Sequence, residues 1–582
     1  MRIVNFKVFT AVILAVVMLS GCGLSKMIKK YPTVKFKATP EVLESTGGRI
    51  TVQIDGTFPA KYFHKKAKLE IVPVLTNMQG VELTKLKSIT LKGEKAVGDG
   101  QTINYKTGGT FTYTDVFDYN PNMNASELFI NPSASLKKKT DVKLGQIKLA
   151  DGVVYTSERV VRDEDLQVAD HGYELETLIT HSGNLYFEYN KSNLNTNLAL
   201  NKDKANADTL AAVLAFLQKN WKVKSIDINA WASPEGELTL NQKLSDERGK
   251  VGNTWFIDQV KKMIKAKTLN ITKPEELAVT VAAKGEDFDG FMKALQASNM
   301  PQKETITNVI KSQENKAARE KAMKDMTVIY TEVETMLSVL RRSEIKIVCY
   351  LPKKSKEEIM QLSTSAPEKL DNKELLYAAT LTDNMETKYT IYKSATTIYP
   401  QEWKNFCNAG YAAMSLGKLD EAATYLDKAN TLKASEPKVL YNIGVLNFWN
   451  KKNETADSYF NQAKAGGIDV SYNMGLLKIR KGDYTAALNA FGAKKCKNNI
   501  ALAQLLSGNA SGATTTLGCV KPMTAADYYL LAIAGARSGN TSQMYENIRK
   551  AITADAAYRS QAKEDREFLK YFKEAAFQEA TK

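Results

Sequence analysis

The sequence predicts a multidomain α+β protein: an N-terminal β-sandwich-like domain, a middle α/β domain with a helical insertion, and a C-terminal α-solenoid of paired helices. Three observations predict it. Residues 34–162 alternate apolar and polar positions between glycine-rich turns. From residue 184 strand-like and helix-like stretches take turns. Beyond residue 371 glycine recurs at a helical-repeat spacing, Gly410 and Gly444 standing 34 residues apart. A chain of 582 residues is too long for one core, and roughly 100–200 residues per domain implies three or four domains. A hydrophobic share of 43% and a charged share of 25% are ordinary for folded domains.

At the start, Arg2 and Lys7 precede an apolar run over 8–19 that is too short to span a bilayer. Leu19-Ser20-Gly21-Cys22 follows at once. Small residues before a cysteine at the end of such a run resemble the bacterial lipobox. The resemblance implies that 1–21 is a cleaved signal peptide and that Cys22 carries lipid on its sulfur. The alternative is an ordinary secretory signal with a chance cysteine. More than one acyl chain at Cys22 would give stable anchoring, since a single chain binds only marginally. The residues after Cys22, Gly-Leu-Ser-Lys, lack the acidic cluster associated with surface display in similar Bacteroidota lipoproteins. The expected location is therefore the cell outer membrane, facing the periplasm. Residues 22–33 read as a lysine-bearing tether.

The β-rich domain is expected over 34–165. Ile50-Thr51-Val52-Gln53-Ile54 and Ser88-Ile89-Thr90-Leu91-Lys92 alternate, and Gly47-Gly48, Gly98-Asp99-Gly100 and Gly108-Gly109 supply turns. Such strands predict an antiparallel sandwich. Pro73 inside the apolar run 69–75 predicts an edge or bulge position, because proline donates no ladder hydrogen bond.

The middle domain is expected over 166–352. Strands are predicted at 184–189, 226–230, 277–281 and 344–349, with helices over 201–219 and from Thr239 through Val260. Within 232–248 (ASPEGELTLNQKLSDER), Gly236, Asn241, Leu244, Ser245 and Arg248 keep a spacing similar to that of OmpA-like domains, which hold outer membranes to peptidoglycan. In that family an Asp three residues before the Gly and the Arg grip the amine and carboxylate of a peptide stem's diamino acid. Arg suits the task because its planar fork makes two parallel hydrogen bonds to a carboxylate. The resemblance makes Arg248, Asn241 and Ser233 the peptidoglycan-binding candidates, with Ser233 standing where the family has Asp. A serine brings no negative charge, and a carboxylate displaced along the turn, at Glu235 or Glu237, points elsewhere. Residues 287–340 exceed what the family needs and carry apolar residues at helical spacing, predicting an added helical subdomain.

Residues 353–371 read as a linker, and 372–582 as the repeat array. Gly410, Gly444 and Gly475 each have Ala twelve residues on (Ala422, Ala456, Ala487) and a bulky residue sixteen on (Leu426, Phe460, Phe491). The spacing resembles tetratricopeptide repeats, whose period is about 34 residues. A repeat of this kind cannot bury its face alone, so neighbours stack. With weaker copies at 374–400, around Ala501 and around Ala532, six helix pairs and a capping helix at 564–572 are expected. Asn408, Asn442 and Asn473 lie two residues before the three glycines. In similar repeats this position lines the concave groove, where an amide holds a peptide backbone. The alternative is that Asn merely suits a solvated helix face.

The formal charge of +16 is dispersed, with short runs such as Lys137-Lys138-Lys139 and no nucleic-acid motif. Cys349, Cys407, Cys496 and Cys519 show no metal spacing and read as buried structural cysteines; whether Cys496 and Cys519, near the ends of successive second helices, pair is left open. His64, His171 and His181 are the only imidazoles. No metal, cofactor or nucleophilic constellation emerges, and an enzyme is not expected. The whole layout resembles Bacteroidota outer-membrane lipoproteins with an OmpA-like domain and tetratricopeptide repeats. It implies a periplasmic scaffold with membrane, peptidoglycan and envelope proteins as partners. The alternatives are an accessory subunit of an outer-membrane assembly or secretion machine without wall binding, and a cell-wall hydrolase.

Overall fold

The structure, a computed structural model, describes residues 23–329 and 331–582. The signal peptide expected at 1–21 and Cys22, expected to carry lipid, lie outside the described residues. The chain forms two compact units: residues up to Asp170 together with Thr382–Lys582, and His171–Leu381.

Where a tether was expected, α1 (Gly23–Lys30) is a helix whose Leu24 and Met27, three residues apart, are buried. These two join the core of the β-rich half. That half has eleven strands among the described residues: β1 (Lys35–Thr39), β2 (Val42–Thr46), β3 (Arg49–Phe58), β4 (Lys68–Asn77), β5 (Glu82–Lys85), β6 (Ile89–Gly93), β7 (Gln101–Ile103), β8 (Gly109–Asp118), β9 (Ser126–Leu136), β10 (Lys139–Lys143) and β11 (Ile147–Val154). They are linked in one sheet in the order β1-β3-β2-β11-β9-β4-β6-β7, with β8, β5 and β10 pairing β3, β4 and β9. Alternating residues from both ends of this path, Ile50, Val52 and Ile54 of β3 with Leu69 and Ile71 of β4 and Leu128 and Ile130 of β9, share one core. The expected purely antiparallel arrangement is corrected at two places, since β2–β11 and β6–β7 run parallel. Pro73 is not on an edge strand. It sits in β4 opposite Ile130 of β9, between the residues that pair β6 (68–71) and those that pair β5 (74–76), where its missing N–H breaks no ladder bond.

The second unit is built on four strands, β12 (Leu178–Tyr186), β13 (Val223–Ala232), β14 (Val279–Glu286) and β15 (Arg342–Tyr350), in the order β12-β15-β13-β14. The last strand lies inside the sheet, antiparallel to both neighbours, while β13 and β14 are parallel. The first strand starts earlier than its aromatic signal, because Leu178 pairs Tyr350 and the ladder runs unbroken to Tyr186 opposite Arg342. α2 (Ala199–Lys202) and α3 (Lys204–Leu217) precede β13, and α4 (Leu238–Lys265) follows it. Val213 and Phe216 of α3 and Phe256 and Val260 of α4 cover Ile226, Ile228, Ile345 and Ile347 of the sheet. α5 (Phe288–Ala297), α6 (Lys303–Lys311), α7 (Lys316–Ile329) and α8 (Thr331–Ser338) form the insertion around their own core of Phe291, Leu295, Ile306, Ile310, Val333 and Leu337. The expected linker instead holds α9 (Lys356–Ser365), which buries Ile359, and α10 (Asn372–Ala378) follows at the expected start of the array. Both belong to this unit, so the first array pair expected at 374–400 keeps only its second helix in the array.

The array consists of α11 (Met385–Ile398), then the pairs α12 (Trp403–Ser415) with α13 (Leu419–Leu432), α14 (Pro437–Trp449) with α15 (Asn453–Ala465), α16 (Ser471–Arg480) with α17 (Tyr484–Phe491), α18 (Asn498–Leu506) with α19 (Ala510–Gly518), and α20 (Ala525–Ser538) with α21 (Thr541–Ala554). α22 (Tyr558–Glu564), a 3-10 turn (Arg566–Tyr571) and α23 (Ala575–Ala580) close it, replacing the single capping helix expected. The glycines act as the spacing implied. A Cβ at Gly410 would come within 2.7 Å of Leu426, one at Gly444 within 2.7 Å of Phe460, and one at Gly475 within 2.3 Å of Phe491. Cys496 and Cys519 are joined in a disulfide, and Cys349 and Cys407 are free and buried.

Candidate functional site

The groove asparagines stand on the first helices of successive pairs: Asn408 on α12, Asn442 on α14, Asn473 on α16 and, unforeseen in the sequence, Asn499 on α18. All four are at most 1% exposed. The groove they line is filled by the chain itself. Residues 159–170, which leave the β-rich half without regular secondary structure, run along it.

Three of the asparagines hold this strap through its main chain. Asn408 Oδ1 accepts from the Ala169 N–H at 2.7 Å while its Nδ2 donates to the Ala169 carbonyl at 3.0 Å. Asn442 does the same at Gln167, at 2.9 and 2.7 Å, and Asn499 at Val161, at 3.0 and 2.9 Å. A side-chain amide can pair with one residue's N–H and C=O together because it offers a donor and an acceptor side by side. The bound residues are all odd-numbered, as an extended chain showing one edge to the groove requires. The strap runs against the repeat order: from Asn408 to Asn442 it steps back two residues, and from Asn442 to Asn499, two repeats on, six. Asn473, between them, makes no backbone pair with the strap.

Side chains complete the seat. The Tyr472 hydroxyl donates to Asp163 Oδ1 at 2.6 Å, the Trp449 indole N–H donates to Glu164 Oε2 at 2.9 Å, and Lys438 Nζ donates to the Val168 carbonyl at 2.9 Å. Lys497 Nζ reaches the Asp163 carbonyl at 2.5 Å and Asp165 at 3.2 Å. Arg159 sits 4.5 Å from the Tyr155 ring and 4.6 Å from that of Tyr529 and pairs with buried Asp565. Burial raises the Asp163 carboxyl and pushes that of Glu164 up to about 7, because low-dielectric surroundings favour the neutral acid.

In the second unit, the residues singled out by the OmpA-like spacing lie close together but are turned inward. Arg248 is 1% exposed. Its Nε, Nη1 and Nη2 donate to the carbonyls of Lys191 (3.0 Å), Trp231 (3.0 Å) and Glu188 (3.2 Å). Burial, then the nearby Arg341, lowers its pKa to about 10. Ser233 Oγ donates to Glu235 Oε1 at 2.6 Å and accepts from Arg341 Nε at 3.0 Å. Arg341 Nη2 meets Glu235 Oε1 at 2.9 Å and Glu334 Oε1 at 2.8 Å. Asn241 Nδ2 donates to the Ser233 and Gly236 carbonyls at 3.1 and 2.9 Å, holding the turn ahead of α4. The cation facing Ser233 and Glu235 is thus the chain's own Arg341, placed at the end of the insertion, a role that no spacing in the sequence predicts. Among the described residues no cluster of His, Cys, Asp or Glu is arranged to hold a metal, and no helix is long and apolar enough to cross a membrane.

Comparison with known proteins agrees with the array. Residues 404–436 match the family described as tetratricopeptide repeat. No curated protein matches the chain. Similar solved structures include a tetratricopeptide repeat protein from Parabacteroides merdae ATCC 43184, 14% identical, covering 36% of this chain and 90% of that one at a TM-score of 0.30. Others are YrrB, described as a TPR protein with an unusual peptide-binding site (20% identity, 30% and 97% covered, TM-score 0.23), and PilW, a type IV pilus biogenesis factor (15% identity, 40% and 100% covered, TM-score 0.26). The chain is a mixed α+β protein with an N-terminal sheet and a C-terminal helical region that carries a tetratricopeptide repeat.

Proposed function

We propose that the chain is a non-enzymatic scaffold of the outer membrane, held by lipid on Cys22, facing the periplasm and binding other envelope proteins. In this reading the groove of its array is an internal clamp. What carries it is the set of paired amide contacts from Asn408, Asn442 and Asn499 to Ala169, Gln167 and Val161, which engages the groove in cis and leaves partners to other surfaces. The middle domain keeps an OmpA-like core without gripping the wall. Arg248 supports this, since its guanidinium is satisfied by three carbonyls, and so does Ser233, which Arg341 already engages.

Sedimentation with purified sacculi tests the wall-free reading: the wild-type protein stays in the supernatant, and pelleting that Arg248→Ala abolishes would sink it. Fractionation of envelopes tests the anchor: Cys22→Ala moves the protein out of the outer-membrane fraction, and unchanged fractionation would remove the lipid from the proposal. Release of muropeptides by the purified protein would overturn the non-enzymatic role.

A further inference from the structure

A second feature of the first unit has no part in the clamp. Arg566, in the closing turn of the array, is 6% exposed. Its Nη2 is 3.1 Å from the thioether sulfur of Met78, its Nη1 donates to the Glu564 carbonyl at 3.2 Å, and its Nε has no acceptor. Neither acceptor carries charge, and a thioether is a weak one. A buried guanidinium left this way is costly, since burial penalises its charge without a compensating anion.

Arg566 lines a cleft of about 630 Å³ between the β4–β5 hairpin, the loop before β9 and the closing turn. Lys563 adds a second cation, and Met78, Leu83, Leu569 and Phe572 supply an apolar wall. Two carboxylates also line it: Asp151, tied to Lys148 at 2.8 Å, and Glu564, whose side chain is exposed to solvent. Leu83 belongs to β5, which among the described residues pairs only with β4, so its other edge offers main-chain donors and acceptors beside the cleft. Met78, at the hairpin tip, is 53% exposed.

These features ask for one ligand chemistry: a carboxylate for the guanidinium, a main chain for the strand edge and an apolar side chain for the wall. We propose that this cleft binds the C-terminal carboxylate of a polypeptide whose last side chain is apolar, with Arg566 as the anchor. Arg fits a carboxylate through charge-assisted hydrogen bonds that the present thioether and carbonyl partners of Arg566 do not match.

The test is calorimetric titration of the full-length protein with an acetylated pentapeptide acid ending in leucine, with the same peptide as its C-terminal amide, and with decanoate. The acid is expected to bind at least about tenfold tighter than the amide, as loss of a charged hydrogen-bonded pair implies. Arg566→Met should erase that difference while leaving the protein folded, with Tm unchanged or raised, because it removes an uncompensated buried charge. Equal binding of acid and amide, no binding of the acid at millimolar concentration, or binding of decanoate without the peptide acid would each overturn the proposal. So would an Arg566→Met protein that is folded and still prefers the acid.

Discussion

Asn442 and Gln167 form a closed hydrogen-bonded ring, the amide oxygen accepting from the main-chain N–H and the amide nitrogen donating to the carbonyl of the same residue. Asn442→Ala leaves both main-chain groups without partners in a half-buried seat and should cost about 1–3 kcal/mol in chemical denaturation. Asn473→Ala, at the equivalent place one repeat on, removes no pair with the strap and should cost less than about 1 kcal/mol. Equal losses at the two positions would mean that the amides act through the helices rather than through the strap.

Gly444 faces Phe460 so closely that an added methyl would stand 2.7 Å from the ring. In an exposed helix Gly→Ala gains up to about 1 kcal/mol of propensity. Here overpacking should reverse the sign, so Gly444→Ala costs about 1–3 kcal/mol. Adding Phe460→Leu should recover part of it, as thermal unfolding of the single and double variants would reveal.

Glu164 makes the clamp sensitive to pH. Its carboxyl titrates at about 7 in the folded protein against an ordinary 4.5, so the folded state holds a proton that the unfolded chain has released. Stability therefore falls as pH rises from 4.5 to about 7 and levels off above. Glu164→Gln should raise Tm at pH 8 and flatten this slope, leaving the part due to Asp163, whose carboxyl shifts in the same direction. Lys497, Arg162 and Arg480 remain in place in that comparison. A wild-type Tm that is flat between pH 5 and 7 would remove the effect.

Arg341 is the cation that meets buried Glu235 inside the second unit, at 2.9 Å. Arg341→Ala leaves a buried carboxylate unpaired and should cost about 3–5 kcal/mol. Arg341→Met with Glu235→Gln removes both charges and should recover most of it; a double variant no better than the single one would contradict the pairing.

Sequence pattern reached the array and its asparagines because both repeat at a fixed period, and periodicity survives in a single chain. Asn499 was within reach too: it stands two residues before Ala501, but with alanine in place of the signature glycine the match was too weak to draw attention to it. The occupant of the groove was not legible, since residues 159–170 carry neither helical nor strand periodicity and the Ala169–Asn408 pair spans 239 residues. Arg341 escaped for the same reason: its partners Ser233 and Glu235 lie more than 100 residues earlier. Pro73 predicted an edge or bulge and lies instead inside the sheet where β4 changes partners, because the sequence does not say that one strand changes partners along its length.

The strap also sets an order of events. Residues 159–170 are made before the whole of the second unit, and the asparagines that hold them come after it. An emerging chain thus carries its clamp ligand unpaired through more than two hundred residues, long enough for His171–Leu381 to fold first as a unit. The first unit cannot be completed until α12, α14 and α18 have appeared, and loop closure across the intervening domain adds only logarithmically to the entropy lost. A chain truncated before residue 408 would therefore present a folded second unit and an unseated strap, a species open to proteolysis.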